Sequence, residues 1–272
     1  MALDPSQAAD LTAVLHQLAD RSGPAILPFF RTALTIEDKA ANVGAGFDPV
    51  TDADRAAERE IVSHLNAHRS DDAILGEEFG RQGGPGPLEW VIDPIDGTRA
   101  FVFGTPTWGT LIGLRANGKA LLGAMDQPFT RERFWGGPDG SFARRPDGRE
   151  FRLSTAKSRT QLSDAFLSTT SLDLFDGVHR LAAFQAVQSS VRTTRYGLDC
   201  YAYCLLAGGT IDVVVESGLK SYDIVALIPI IEGAGGCIST WTGGSAVDGG
   251  DIVATANKEL HDAVLTKIAQ HC

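Results

Sequence analysis

The chain has 272 residues, with 24 Lys and Arg against 34 Asp and Glu, a formal net charge of −10. At 43% hydrophobic and 21% charged it has the composition of an ordinary soluble globular protein, long enough for one compact body with two lobes. The acidic balance argues against nucleic acid as a ligand, and no apolar run reaches the roughly 18 residues of a membrane span. Residues 1–5 do not open a basic stretch followed by an apolar one, so no signal peptide and a cytoplasmic location are expected.

Pro5 suits a first helical position, and Leu11, Val14, Leu15 and Leu18 recur at helical spacing, with Pro24 and Pro28 expected to break or kink the helix near its end. A second helix is predicted from Thr51 or Asp52 to about His68, facing inward with Ala57, Ile61 and Leu65. The run 73–75 reads as a strand ending in Gly76-Glu77-Glu78, and 83–87 as a loop. Segments 109–115 and 120–125 flank Asn117-Gly118, a strong hairpin signal, and the stretches around Trp135 and Phe142 extend that antiparallel sheet. Polar residues 144–149 mark a lobe boundary, dividing 1–148 from 149–272. Beyond it, strands at 165–168, 211–216, 236–239 and 252–254 alternate with helices at 178–187, 201–206, 222–233 and 257–269. Such alternation predicts an α/β fold with helices covering a sheet.

Chemistry concentrates in Asp93-Pro94-Ile95-Asp96-Gly97-Thr98, which follows the apolar run 88–92. Pro94 holds Asp93 extended, and Gly97 lets the backbone turn after Asp96. In a regular strand residues 93 and 96 face opposite sides, but a turn can bring both to one site. The Ile95 carbonyl, without a ladder partner in such a turn, is a candidate third oxygen for a hard cation such as magnesium. A helix starting at Thr98 would aim the Gly97 and Thr98 N–H groups at a phosphate, although an Asp-Gly-Thr turn often does no more than cap a helix. Glu77 at a strand end, Asp223 at a helix start and Asp54 in the opening of the second helix are further acids, each alone compatible with a cap or a solvated surface. Cys200, Cys204, Cys237 and Cys272 show no metal-finger spacing and read as free thiols. The six histidines lie away from the motifs and read as structural or surface residues.

These motifs, with Lys39, Asp48-Pro49-Val50-Thr51, Glu216-x-Gly218-Leu219-Lys220-x-Tyr222-Asp223 and Ala234-Gly235-Gly236, resemble the inositol monophosphatase-like family along almost the whole chain. The resemblance implies an alternating α/β/α/β/α layered sandwich of the inositol monophosphatase/fructose-bisphosphatase type, two or three Mg²⁺ ions, and a homodimer. It assigns Glu77, Asp93 and the Ile95 carbonyl to one metal, and Asp93, Asp96 and Asp223 to a second. It also implies that Asp54 and Thr98 orient a metal-activated water, that Glu216 contacts the organic part of a small phosphate monoester, and that Lys39 balances charge.

Two stretches depart from the inositol-type pattern: Arg99-Ala100-Phe101, and Tyr196-Gly197-Leu198-Asp199-Cys200-Tyr201-Ala202-Tyr203. Both are similar to the bacterial histidinol-phosphate phosphatase subgroup. Histidinol phosphate carries an ammonium and an imidazole, for which Asp199 and Glu216 offer acceptors, while Arg99 offers donors to phosphate or to a neighbouring carboxylate. Asp199 is equally readable as the cap of the helix that follows it, and Arg99 as a subunit-interface residue. Hydrolysis of L-histidinol phosphate is the first expectation and of inositol 1-phosphate or sugar phosphates the second. A 3′-phosphoadenosine nucleotidase and a non-catalytic metal-binding regulator stand further off.

Overall fold

Two-residue alternation along the strands sorts the core into separate layers. The computed structural model describes residues 3–33, 36–38 and 49–271. Its first half contains α1 (Pro5–Ile26), β1 (Ile36–Asp38), β2 (Pro49–Thr51), α2 (Asp52–His68), β3 (Ala73–Gly76), β4 (Gly80–Gly83), β5 (Glu89–Asp96), α3 (Thr98–Phe103), β6 (Gly109–Ala116), β7 (Lys119–Gln127), β8 (Glu132–Gly137), β9 (Gly140–Arg144) and β10 (Glu150–Arg152). The second half contains β11 (Phe166–Thr169), α4 (Gly177–Gln188), β12 (Thr193–Tyr196), α5 (Asp199–Ala207), β13 (Val213–Leu219), α6 (Ser221–Ile224), α7 (Leu227–Gly233), β14 (Cys237–Thr240), β15 (Gly250–Thr255) and α8 (Lys258–Ala269).

Strands β10-β9-β8-β7-β6-β5-β3-β4 form one eight-stranded sheet, and β12-β11-β13-β15-β14 a five-stranded one. On β5, Trp90 and Ile92 face α1 and α2, where Leu15, Leu18, Ile61 and Leu65 are fully buried, while Val91 faces the opposite way. Each such side chain contributes roughly 1.5–3 kcal/mol by leaving water. On β13, Val213 and Val215 pack outward against α4 and α8, whereas Val214 packs inward. The inward faces of both sheets close on α5, α6 and α7, whose Cys204, Ile224 and Ile230 are completely buried. The layers are therefore α1/α2, the large sheet, α5–α7, the small sheet, and α4/α8: the expected α/β/α/β/α sandwich.

The hairpin at Asn117-Gly118 forms with both residues at positive φ, 51° and 70°, and Ala116 paired with Lys119. Residue 148 lies in the connection between β9 and β10. Helix α1 includes Pro24 and ends at Ile26, before Pro28. Two local expectations are corrected. The single helix expected over 222–233 is two, α6 and α7, interrupted at Val225 and Ala226; Pro229 has no N–H for the Val225 carbonyl four residues earlier. Gly83, read as loop, ends the edge strand β4.

Candidate active site

Strand parity places Asp93 on the same side of β5 as Val91, facing the middle helix layer. A β-bulge then re-aims the chain. Asp93 pairs with Leu111 and Asp96 with Gly109, three residues advancing on β5 against two on β6. The extra residue restores Asp96 to the face of Asp93. A bulge within the strand does what a terminal turn was expected to do. The Pro94 carbonyl accepts the Thr110 hydroxyl (2.8 Å), and the Ile95 carbonyl, outside the ladder, accepts that of Thr98 (3.1 Å).

Helix α6 supplies Asp223 from the facing layer, and single carboxylate oxygens of Asp93, Asp96 and Asp223 lie within 4.8 Å of one another. Glu77 follows the end of β3, beside Asp93. The charges of Glu77, Asp96 and Asp223 all act on Asp93, so it is the hub of the group. Burial first, and then the charges of Glu77, Asp96 and Asp223, hold its carboxyl well above the ordinary range. Asp96 is pushed well up by burial and then by Asp223 and Asp199, although it accepts the Cys200 N–H at 2.8 Å. Burial raises Asp223 to about 7 against the pull of the Lys220 N–H. Acids in this state are a poor end point alone, since two full charges about 4 Å apart repel by roughly 4 kcal/mol at an effective dielectric of 20. Clustered hard oxygens suit magnesium, and the residues present fit that ion.

Asp54 occupies the third position of α2, and one of its oxygens accepts both the Thr51 N–H (2.9 Å) and the Thr51 hydroxyl (2.6 Å). Its other oxygen accepts neither. Burial raises its carboxyl to about 7. Asp54 and Thr98, expected as a pair, are not hydrogen-bonded to each other. Gly97 has φ +83°, a left-handed conformation that favours glycine, and opens α3 without a side-chain cap. Ile95, Phe101 and Trp108 anchor that turn in a buried cluster with Phe30.

Glu77, Asp93, Ile95, Asp96, Gly97, Thr98 and Asp223 line a cavity of about 720 Å³ between the two sheets, whereas Asp54 does not line it. Its far wall is built by the C-terminal half. Glu216, at the end of the straight part of β13, is 2% exposed and accepts the Thr170 N–H (2.8 Å) and hydroxyl (3.0 Å). Burial raises it to about 8, against those bonds. Asp199 begins α5 at φ +46°, a left-handed conformation that Asp tolerates. The N-cap of α5 is Leu198, with no side-chain cap, and the Asp199 side chain packs on Gly97 and lines the cavity. Burial raises it to about 6, and Arg99 pulls it back. Glu77, Asp93, Asp96 and Asp223 on one side, and Asp173, Asp176, Asp199 and Glu216 on the other, make eight lining carboxylates, with Arg99 the one basic lining residue among those described.

Lys39 lies outside the described residues, as does Cys272; Cys200, Cys204 and Cys237 are free thiols, as expected. No described histidine lines the cavity. His261 sits between the Ser239 and Thr255 hydroxyls, and His16 beside Arg133 and Trp135. Sequence reasoning missed Thr170, whose bonds to Glu216 join segments far apart in the chain. It also took the aromatic residues near Asp199 only as a variant motif. The Tyr203 hydroxyl is buried in the cavity wall with no hydrogen-bond partner among the described residues, a state that costs roughly 1–3 kcal/mol.

The same fold occurs in an inositol monophosphatase from Zymomonas mobilis, superposing with a TM-score of 0.83 at 38% identity over 96% of this chain and 98% of that one. Fold and site are those of a phosphoric monoester hydrolase. Residues 7–272 match the Inositol monophosphatase family, and the chain belongs to it. Enzymes of this family are generally magnesium-dependent. The chain is 41% identical to the bifunctional phosphatase IMPL2 of Arabidopsis thaliana, over 98% of this chain and 79% of that protein. It is 38% identical to a histidinol-phosphatase of Mycobacterium tuberculosis, over 81% and 84%. No described helix is long and apolar enough to cross a membrane.

Proposed function

We propose that this phosphatase hydrolyses L-histidinol phosphate to L-histidinol and inorganic phosphate. The observation that carries the reading is the acidic far wall. Four carboxylates beyond the metal cluster (Asp173, Asp176, Asp199 and Glu216) line the space open to the organic part of a substrate. An inositol ring offers only hydroxyls and needs no such charge, whereas histidinol phosphate brings an ammonium and an imidazole. Relatives named histidinol-phosphatases at 31–38% identity agree with it.

In this reading Glu77, Asp93 and the Ile95 carbonyl would hold one magnesium ion and Asp93, Asp96 and Asp223 a second, and Glu77 would face a weaker third. When bound, the ions supply Lewis acidity to the phosphoryl group and lower the pKa of water. The Gly97 and Thr98 N–H groups hold phosphate oxygens. Asp54, raised to about 7 by burial and with one oxygen uncommitted to Thr51, takes the proton of the attacking water near neutral pH, while Thr98 orients that water. Asp199 and Glu216 receive the cationic groups, and Arg99 braces Asp199 or the phosphate. Lys39 balances charge, and two copies of the chain form a dimer in the cytoplasm.

Phosphate release from histidinol phosphate, myo-inositol 1-phosphate and adenosine 3′,5′-bisphosphate, each with magnesium and with chelator, tests the assignment. We expect histidinol phosphate to lead by at least about tenfold in kcat/KM, from roughly 1.4 kcal/mol of extra recognition. A tenfold lead for the inositol ester, a relative of which is named an inositol-1-monophosphatase, would replace it with the second reading.

A further inference from the structure

Helix α2 brings two carboxylates toward the metal site, and only one has been given a task. Asp54 and Glu58 are four residues apart, one above the other on the same face. Glu58 is completely buried, with no cation paired to it among the described residues. Its two oxygens are spent on one short segment. One accepts the Glu78 N–H at 2.9 Å, the other the Phe79 N–H at 3.0 Å. These are the two backbone donors that immediately follow Glu77. The Glu77 N–H itself still bonds the Ile92 carbonyl of β5, at 3.1 Å. Glu77 is thus fixed from behind by the sheet and from ahead by Glu58. The carboxylate nests so tightly against the chain that a Cβ at Gly76 would fall 1.8 Å from a Glu58 oxygen. Glycine at 76 is a requirement of this contact.

We propose that Glu58 is a positioning residue for the metal site: it clamps the segment that carries Glu77 and so sets the affinity for the ion that Glu77 holds. The proposal rests on Glu77 being a metal ligand. A buried anion with both oxygens occupied by N–H donors is a fixed bracket, since the side chain cannot turn without leaving an amide unpaired. Outer groups that orient a ligand typically control metal affinity by about 10- to 100-fold. A glutamine at 58 has the right size but only one accepting oxygen, and its NH₂ group would face the second N–H, donor against donor.

The test is Mn²⁺ binding to the whole protein, followed by electron paramagnetic resonance and calorimetry, for Glu58→Gln, Glu77→Gln and the exposed neighbour Glu60→Gln. Glu58→Gln should weaken Mn²⁺ binding by about tenfold or more. The magnesium concentration for half-maximal activity should rise by the same factor, while saturating magnesium returns kcat to within about twofold and leaves KM for the ester unchanged. Glu60→Gln should match wild type. A bracket of purely structural importance would instead lower kcat or Tm at every metal concentration and leave Mn²⁺ affinity alone; that result overturns the proposal. Should Glu58→Gln fail to fold, Glu58→Asp, too short to span both amides, carries the same titration and the same two outcomes. If Glu77→Gln also binds Mn²⁺ like wild type, the ligand assignment fails; if it weakens binding while the Glu58 variants do not, the positioning role alone is lost.

Discussion

The two sheets both deliver acids to the cavity, but they hold them in opposite ways. On the side of the eight-stranded sheet, Asp93 has Glu77, Asp96 and Asp223 as its charged neighbours, and each raises the cost of ionising the next. On the side of the five-stranded sheet, Glu216 is held by the Thr170 N–H and hydroxyl, and Asp199 lies under the influence of Arg99. A group of acids whose neighbours are acids is completed only by inorganic cations. Glu216, already satisfied by a hydroxyl and an amide, keeps its shape alone and can meet a softer organic cation. In the proposed reading, catalysis would belong to the first arrangement and selectivity to the second.

The comparison breaks most visibly at its hub. Asp93→Asn should lower kcat/KM for every ester by at least about 10³-fold, the loss of roughly 4 kcal/mol of transition-state stabilisation. In chelator the same variant should melt higher than wild type at pH 8, because a neutral amide relieves the buried repulsion. A lower melting temperature would show that the acids do not strain one another. Next in size, Asp54→Asn should cost about 10²–10⁴-fold in kcat for all esters alike and flatten the pH–rate limb near 7.

On the substrate side the losses should be smaller and selective. Asp199→Ala should reduce kcat/KM for histidinol phosphate by about 10- to 100-fold, as expected for an ion-paired hydrogen bond, and leave p-nitrophenyl phosphate within about twofold. Equal losses on both esters would remove the contrast between the walls. Tyr203→Phe should change least, by about threefold to tenfold on histidinol phosphate, while leaving unliganded stability unchanged or higher, since the hydroxyl has no partner to lose among the described residues.

Stability against pH sharpens the same contrast. Asp54 and Asp223 at about 7, and Glu216 at about 8, all lie above ordinary carboxylate values. These three acids therefore hold more protons in the folded than in the unfolded chain between about pH 4 and pH 8, so their contribution to stability in chelator falls as pH rises through that window. Thermal melts at pH 5.5 and pH 8 should show the lower Tm at pH 8, and magnesium should recover most of the difference. A Tm that rises with pH in chelator would contradict the sign.

Much of this was legible in the chain because the informative residues are local. Asp93, Asp96 and Gly97 lie within five positions, and Pro94 and Gly97 already announce irregular backbone. The means by which Asp96 reaches the site was not legible, because the bulge exists only relative to the register of β6. Nor were the Thr170 bonds to Glu216 or the Cys200 N–H on Asp96, which join residues 46 and 104 positions apart. Strand β12 carries no apolar alternation, being largely exposed, and was missed for that reason. Pro229 was visible, and its effect was under-read: a missing N–H four residues after Val225 splits the helix there. Asp199 taught the reverse, since a residue that also suited a cap turned out to line the cavity.

Anomalous diffraction from crystals of the protein grown with Mn²⁺ addresses the convergence of the acids most directly. We predict strong peaks bridged by the Asp93 carboxylate, one of them also ligated by Asp96 and Asp223, at oxygen distances of roughly 2.0–2.2 Å. A map with manganese bound elsewhere, and none within reach of Asp93, would contradict the account.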